Sequence, residues 1–60
     1  MKVGDVIKVI DCGAAGITSR WNNSIGVIVE EFKPRFINVR FQEENFHHYR
    51  ILKKRGICLV

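Results

Sequence analysis

The segment 36–42 constrains the fold most, because it carries the strictest alternation of apolar and polar residues in the chain. Ile37, Val39 and Phe41 alternate there with polar side chains. Successive side chains of a strand point to opposite faces, so this pattern predicts a β-strand with one buried face and one solvated face. No window of the chain shows helical periodicity. The sequence therefore predicts an all-β fold.

Four further segments are predicted to be strands, because they are rich in β-branched or aromatic residues and are bounded by turn signals. They are residues 6–10, 25–32, 46–51 and 57–60. Residues 11–24 form a long loop after the first strand, and residues 33–35 and 52–56 are predicted turns. Gly26 lies inside the second predicted strand, which indicates a bulge or a close backbone approach.

The length limits the architecture to one domain, residues 1–60. A chain of this size buries only roughly 60% of the surface that it exposes when unfolded. Five short strands favour a small closed barrel, because closure removes exposed strand edges. Ile7 and Val9 share one face of the first strand. Val6 and Ile10 share the other face, and we expect a second sheet or the C-terminus to cover them.

Three stretches of the sequence resemble SH3-like small barrels. Residues 3–9 (VGDVIKV) resemble their opening G-D-x-V-x-V, and residues 26–30 resemble a second strand in which a glycine precedes the inward valine. Residues 37–41, followed by Tyr49 and Leu52, are similar to their V-x-V-x-F … Y … L ending. The resemblance is closest to KOW-type modules and to the barrel of the photosystem subunit PsaE. It implies a five-stranded SH3-like small barrel with a long loop after the first strand.

The resemblance implies binding as the function, because barrels of this kind bind RNA, DNA, proteins or peptides. The link between the first strand and Gly26 is longer here than in a KOW element. In length it is closer to the RT-type loop of peptide-binding barrels. Nucleic acid and protein partners therefore both stay open.

The residues that could support catalysis or metal binding are not arranged for either. Cys12 and Cys58 lie far apart, belong to no C-x-x-C pair and border apolar strands, so we expect two buried structural thiols. His47 and His48 are neighbours on a predicted strand, which places one imidazole in solvent and packs the other. The adjacent glutamates are separated in the same way. The sequence predicts no enzyme, no metal site and no cofactor.

The charge favours an anionic partner. Ten Lys and Arg residues against six Asp and Glu residues give a formal net charge of +4. We expect the outward residues of the third and fourth strands to form one basic patch with the neighbouring turns. The predicted nucleic-acid-binding residues are Arg40, Arg50, Lys53, Lys54, Arg55, Lys33 and Arg35.

Aromatic residues near these charges suggest how such a patch would work. Phe46, Tyr49 and Trp21 can interleave with the cations, and base stacking beside a basic groove is typical of RNA and single-strand binding. The leading hypothesis is a non-enzymatic module that contacts the backbone of RNA or DNA, or an acidic protein surface. The other reading is a merely solvated basic face, with Phe46 and Tyr49 in the core.

The single tryptophan, Trp21, lies in a polar, turn-prone segment and has two possible placements. It either caps the barrel mouth against Ile17 and Ile25 or presents its ring to a partner with Arg20 beside it. The second placement supports an alternative function, a protein–protein adaptor or inhibitor of the size of small viral or mobile-element regulators. Such a protein would dock through Trp21 and the long loop. The partner-binding residues are then Arg20, Trp21 and Tyr49.

The start of the chain, MKVGDVIKV, has no signal-peptide pattern, and no segment has the length of a membrane span. We therefore expect a cytoplasmic protein with reduced thiols and no membrane partner. A monomer is the favoured state.

Overall fold

The computed structural model describes residues 1–60 and contains one sheet of five antiparallel strands in the order β4-β3-β2-β1-β5. The strands are β1 (Val6–Val9), β2 (Ile25–Phe32), β3 (Phe36–Glu43), β4 (Phe46–Lys53) and β5 (Ile57–Leu59). Helical structure is limited to α1 (Cys12–Ala15) and a 3₁₀ turn (Ser19–Trp21), both in the long loop. The all-β prediction is confirmed. The sheet is not closed, because β4 and β5 do not pair with each other.

The largest error in the predicted strand bounds concerns β4. This strand continues to Lys53, because Leu52 pairs with Ile37 and is fully buried instead of starting a turn. The strand β1 ends one residue before the prediction. There, the backbone N–H groups of Ile10 and Asp11 both donate to the carbonyl of Gly56, at 2.9 and 3.0 Å, and leave the ladder with β2.

The core lies on one face of the sheet. Ile37, Val39 and Phe41 of β3 are buried there, as their alternation predicts. Nine buried residues form a single cluster, and only Ala15 and Trp21 among them come from the long loop. Because no second sheet is present, the sheet and this loop together exclude water from the cluster.

Gly26 allows β2 and β3 to approach closely. A Cβ atom at this position would overlap Val39 and would lie 2.9 Å from Cδ1 of Phe41. The predicted close approach is therefore confirmed. The inward residues of β2 are Gly26 and Ile28, whereas Val27 lies on the opposite face and is half-buried. The expectation of an inward valine after the glycine is wrong, because Gly26 itself takes the position opposite Phe41.

A bulge in β2 lies two residues beyond Gly26. The register with β3 shifts between Ile28 and Glu30, so that one extra residue of β2 is accommodated. A bulge changes which side chains face the core in the rest of the strand. After it, Phe32 pairs with Phe36 at the end of the hairpin, and both rings are exposed.

The long loop is held against the inner side by short local structures. The side chain of Asp11 accepts a hydrogen bond from the backbone N–H of Ala14 at 3.2 Å and caps α1. Gly16 ends this helix in the left-handed region, with φ of 76°. Gly56 faces the helix with φ of 72°, and a Cβ atom there would overlap the carbonyl oxygen of Asp11. A side chain at residue 56 would push the β4–β5 connection away from α1.

The outer face of the sheet is not covered. Val6 and Ile10 are exposed, contrary to the expected cover from a second sheet or the C-terminus, because the loop and helix pack on the inner face alone. Cys58 pairs with Lys8, and both cysteines are free and only half-buried instead of buried. Neither short helix could cross a membrane, and no longer apolar helix is present.

Candidate functional site

One cleft opens between the β2–β3 turn and the β4–β5 connection. Its volume is about 430 Å³, and its six lining residues are Pro34, Arg35, Phe36, Lys53, Lys54 and Arg55. The backbone N–H of Lys54 donates to the carbonyl of Arg35 at 2.8 Å and joins the two walls. We call these six residues the basic cleft, because four of them are cationic and none is acidic.

One of the four cations is neutralised locally. Nζ of Lys54 lies 2.7 Å from Oε2 of Glu31, and the two side chains are 24% and 19% exposed. The hydrogen bond from Lys54 holds the pKa of Glu31 below its ordinary value of 4.5; partial burial opposes this effect, and the nearby positive charges of Lys54 and Lys33 add to it. Lys54 therefore fixes the connection to β2. The charge available to a ligand comes from the other cations.

The remaining three cations of the basic cleft, Arg35, Lys53 and Arg55, form no ion pair. All three are exposed, and they come from both walls. Arginine guanidinium groups match phosphate oxygens with two parallel hydrogen bonds, and a lysine ammonium adds a point charge. The cleft can therefore bind an anionic group that reaches both connections.

The structure brings together four of the seven residues predicted to bind nucleic acid. These four line the basic cleft, and they are Arg35, Lys53, Lys54 and Arg55. Lys33 precedes the cleft at the same turn and is exposed.

The other two predicted cations lie apart from each other. Arg40 pairs with Tyr49 on the outer face, whereas Arg50 pairs with Val39 on the inner face. Arg50 therefore lies outside the patch expected across the third and fourth strands, whereas Arg40 shares the outer face with Lys53. Residues opposite each other in a sheet share a face, and this register places Arg40 and Arg50 on opposite faces.

Trp21 occupies the position of a cap. Its side chain is 5% exposed and stacks on Phe41, with ring centroids 4.7 Å apart and an interplanar angle of 21°. The guanidinium carbons of Arg20 and Arg50 lie 4.8 and 5.8 Å from its ring centroid. The main stacking partner is Phe41. The expected partner Ile25 is exposed on the outer face.

A polar cluster of Arg20, Glu43 and His48 lies beside Trp21. Arg20 donates to Oε2 of Glu43, and Nε2 of His48 lies 3.0 Å from the same oxygen. The hydrogen bond from Arg20 lowers the pKa of Glu43, with smaller contributions from the charges of Arg20 and His48, while burial opposes it. The expectation of one packed and one solvated imidazole is confirmed, since His48 is half-buried and His47 is exposed.

The three residues predicted to bind a protein partner are not contiguous. Arg20 and Trp21 lie next to each other in the long loop, whereas Tyr49 lies beside Arg40 on the outer face of the sheet. No group of three His, Cys, Asp or Glu side chains lies close enough to hold a metal ion.

Sequence reasoning missed two parts of this site. They are the ring of Phe36, which lines the basic cleft, and the carboxylate of Glu31, which pairs with Lys54. The sequence predicts Phe36 only as part of a strand, and it predicts Glu31 only as one of two adjacent glutamates on opposite faces of a strand. The one available signal was that the two turns are both basic. That signal does not reveal Glu31, because the bulge in β2 decides which way this side chain points.

The six side chains of the basic cleft supply positive charge and apolar surface, which suit the binding of an anionic group. Comparison with protein-family models, with curated proteins and with solved structures gives no match to this chain. The functional interpretation therefore depends on the geometry and charge of the site.

Proposed function

We propose that this protein is a non-enzymatic binding module that contacts the phosphate backbone of RNA or DNA through the basic cleft. The observation that carries the proposal is the convergence of three cations without ion pairs. Arg35 comes from the β2–β3 turn, Lys53 from the end of β4 and Arg55 from the connection after it. Phosphate contacts of this kind supply most of the affinity of sequence-independent nucleic acid binding.

We further propose that the fold is an SH3-like small barrel. The strand order, in which β1 lies between β2 and β5, supports this assignment, as do the one-sided core and the long loop after β1. A cytoplasmic location is proposed with it, supported by the two free thiols of Cys12 and Cys58.

The first test compares two charge-matched double variants. Arg35→Gln/Arg55→Gln removes two charges from the cleft, and Lys2→Gln/Lys8→Gln removes two charges elsewhere. Fluorescence anisotropy with a labelled single-stranded RNA and a labelled DNA duplex gives the Kd at several salt concentrations. At low salt, we expect the Kd of the cleft variant to be at least about ten times that of the wild-type protein. On the duplex, the loss of two phosphate contacts should make the slope of log K against log salt less steep by up to about 1.8.

The control variant separates a site from a general effect of charge. Lys2→Gln/Lys8→Gln should keep most of the wild-type affinity, because neither residue lines the basic cleft. Equal losses in both variants would mean that net charge alone attracts the ligand. Wild-type affinity in the cleft variant would place the binding site elsewhere.

The adaptor function has less support. Its proposed anchor, the Trp21 indole, is buried, and the Arg20 side chain is engaged with Glu43. If neither nucleic acid binds the wild-type protein at low salt, the nucleic acid proposal is wrong, and a protein partner becomes the leading hypothesis.

A further inference from the structure

The outer face of β3 and β4 carries two exposed aromatic rings, each beside a cation. Tyr49 is 53% exposed and pairs with Arg40, and Phe36 is 41% exposed and pairs with Lys53. Paired residues of neighbouring strands share a face, with Cβ atoms about 5 Å apart. Each ring therefore has a positive charge within reach of any group that stacks on it.

This face is continuous with the basic cleft. Phe36 and Lys53 line the cleft and also form the first aromatic and cationic pair of the outer face. Tyr49 lies four residues before Lys53 on the same strand, a distance of about 14 Å at the usual rise per residue. The two rings are too far apart to enclose one base. They suit two different bases of one strand that leaves the cleft along β4.

The charge of the face favours an anionic occupant. Arg40 and Lys53 supply its positive charge, and both are exposed. Among the residues paired across β2, β3 and β4 on this face, Glu30 is the acidic one, and its carboxylate accepts a hydrogen bond from Asn38 Nδ2 at 3.3 Å. An exposed ring with an adjacent cation is the arrangement by which proteins stack unpaired bases and hold the phosphates beside them.

We propose that the ligand is a single-stranded nucleic acid whose backbone enters the basic cleft and whose bases stack on Phe36 and Tyr49. This inference rests on the proposed function and adds the class of nucleic acid. A duplex keeps its bases stacked on one another, so it can contact the cleft through its phosphates but cannot use the two rings.

The test measures Kd values by anisotropy at low salt for a single-stranded oligonucleotide, an abasic strand of the same length and a matched duplex. The variants Tyr49→Leu and Phe36→Leu remove each ring and keep apolar volume. We expect each to weaken single-strand binding by at least about fivefold, the lower end for loss of one stacked base. Binding of the duplex and of the abasic strand should not change in Tyr49→Leu, because Tyr49 lies outside the basic cleft.

Two matched variants separate stacking from general loss of apolar surface. Tyr49→Phe keeps the ring and should bind as the wild-type protein does. Phe46→Leu removes a ring that is 67% exposed on the same strand, but Phe46 pairs with Glu43 and shares the face of His48, opposite to Tyr49. It should also bind normally.

The wild-type measurements need no substitution, so they decide even if a variant fails to fold. Weaker binding of the abasic strand than of the normal strand supports stacking. Equal binding of the two strands, with cleft variants still impaired, overturns the stacking proposal and leaves the proposed function intact. Absence of binding to all three probes overturns the proposed function itself. Equal losses of single-strand affinity in Phe46→Leu and Tyr49→Leu also overturn the proposal that bases stack on Phe36 and Tyr49.

Discussion

Trp21 follows a polar segment in sequence and is nevertheless part of the core. The 3₁₀ turn Ser19–Trp21 brings the ring onto Phe41, and Ile17 packs against the same cluster. A domain of this length has little apolar volume to lose. The large ring therefore contributes a substantial fraction of the buried surface on the inner face.

We expect Trp21→Ala to destabilise the protein by about 3–5 kcal/mol, the usual cost of truncating a buried aromatic residue. That cost is a large part of the total stability of a domain of this length, about 3–9 kcal/mol, so the variant should unfold at a much lower urea concentration or be unfolded without urea. Urea unfolding followed by far-ultraviolet circular dichroism measures the effect.

Two further variants serve as controls for Trp21→Ala. Phe46→Ala removes a mostly exposed ring, and its stability should stay within about 0.5 kcal/mol of wild type. Trp21→Phe keeps an aromatic ring on Phe41 and should recover most of the lost stability. A folded Trp21→Ala protein with wild-type stability would contradict the cap position and would support a role in binding a partner.

An ion pair between distant segments helps to hold together the elements that form the basic cleft. Glu31 lies near the end of β2, and Lys54 follows β4, so their contact fixes the β4–β5 connection against the hairpin. The backbone hydrogen bond from Lys54 to Arg35 acts at the same place. These two links join the β4–β5 connection to the β2–β3 hairpin, next to the ladder pair of Phe36 and Lys53.

The lowered pKa of Glu31 makes this link dependent on pH. Folding favours the charged carboxylate, so its contribution to stability is present above the ordinary pKa of 4.5 and is lost as the pH falls through the lower value of the folded state. We expect Glu31→Gln to lower the melting temperature at neutral pH. The difference from wild type should disappear under acidic conditions. Thermal unfolding as a function of pH measures it.

Glu44→Gln is the matched control, because Glu44 is exposed and forms no ion pair. Its melting temperature should follow that of the wild-type protein at neutral pH. A constant difference between Glu31→Gln and wild type at every pH would mean that the ionised carboxylate does not stabilise the fold.

Across the whole molecule, some cationic side chains form ion pairs and others remain free. The net charge is +4, and the ion pairs engage Arg20 and Lys54. The cations that remain free in the basic cleft lie together at one end of the hairpin. A ligand that binds this end in the folded state must also stabilise the fold.

We expect an oligonucleotide at about a hundredfold excess over its Kd to raise the melting temperature by about 10 °C or more. The increase should shrink as salt is added, because phosphate contacts release counterions. Thermal scans with and without ligand at each salt concentration measure the effect. At the same ligand concentration the Arg35→Gln/Arg55→Gln variant, which binds about tenfold more weakly, should show about half of this increase or less. An increase that is independent of salt would contradict binding through phosphate.

The sequence by itself determined the features that depend on neighbouring residues. Alternation within one strand predicted the all-β class, the inward side of β3 and the opposite faces of His47 and His48. Turn residues placed the connections to within a few positions. Gly26 was predicted to mark a bulge or a close backbone approach, because a missing side chain in a strand is itself a local signal.

Only the tertiary structure decided which side chains meet across strands and connections. A one-residue change of register moves every side chain of a strand to the other face, so the sequence could not show that Arg40 and Arg50 are separated. The bulge in β2 likewise changes the face of the sheet on which Glu31 lies. The basic cleft joins two turns that are distant in the chain, and Trp21 is buried only because its turn folds onto Phe41. Contacts of this kind depend on the register and curvature of the whole sheet, which no local pattern records.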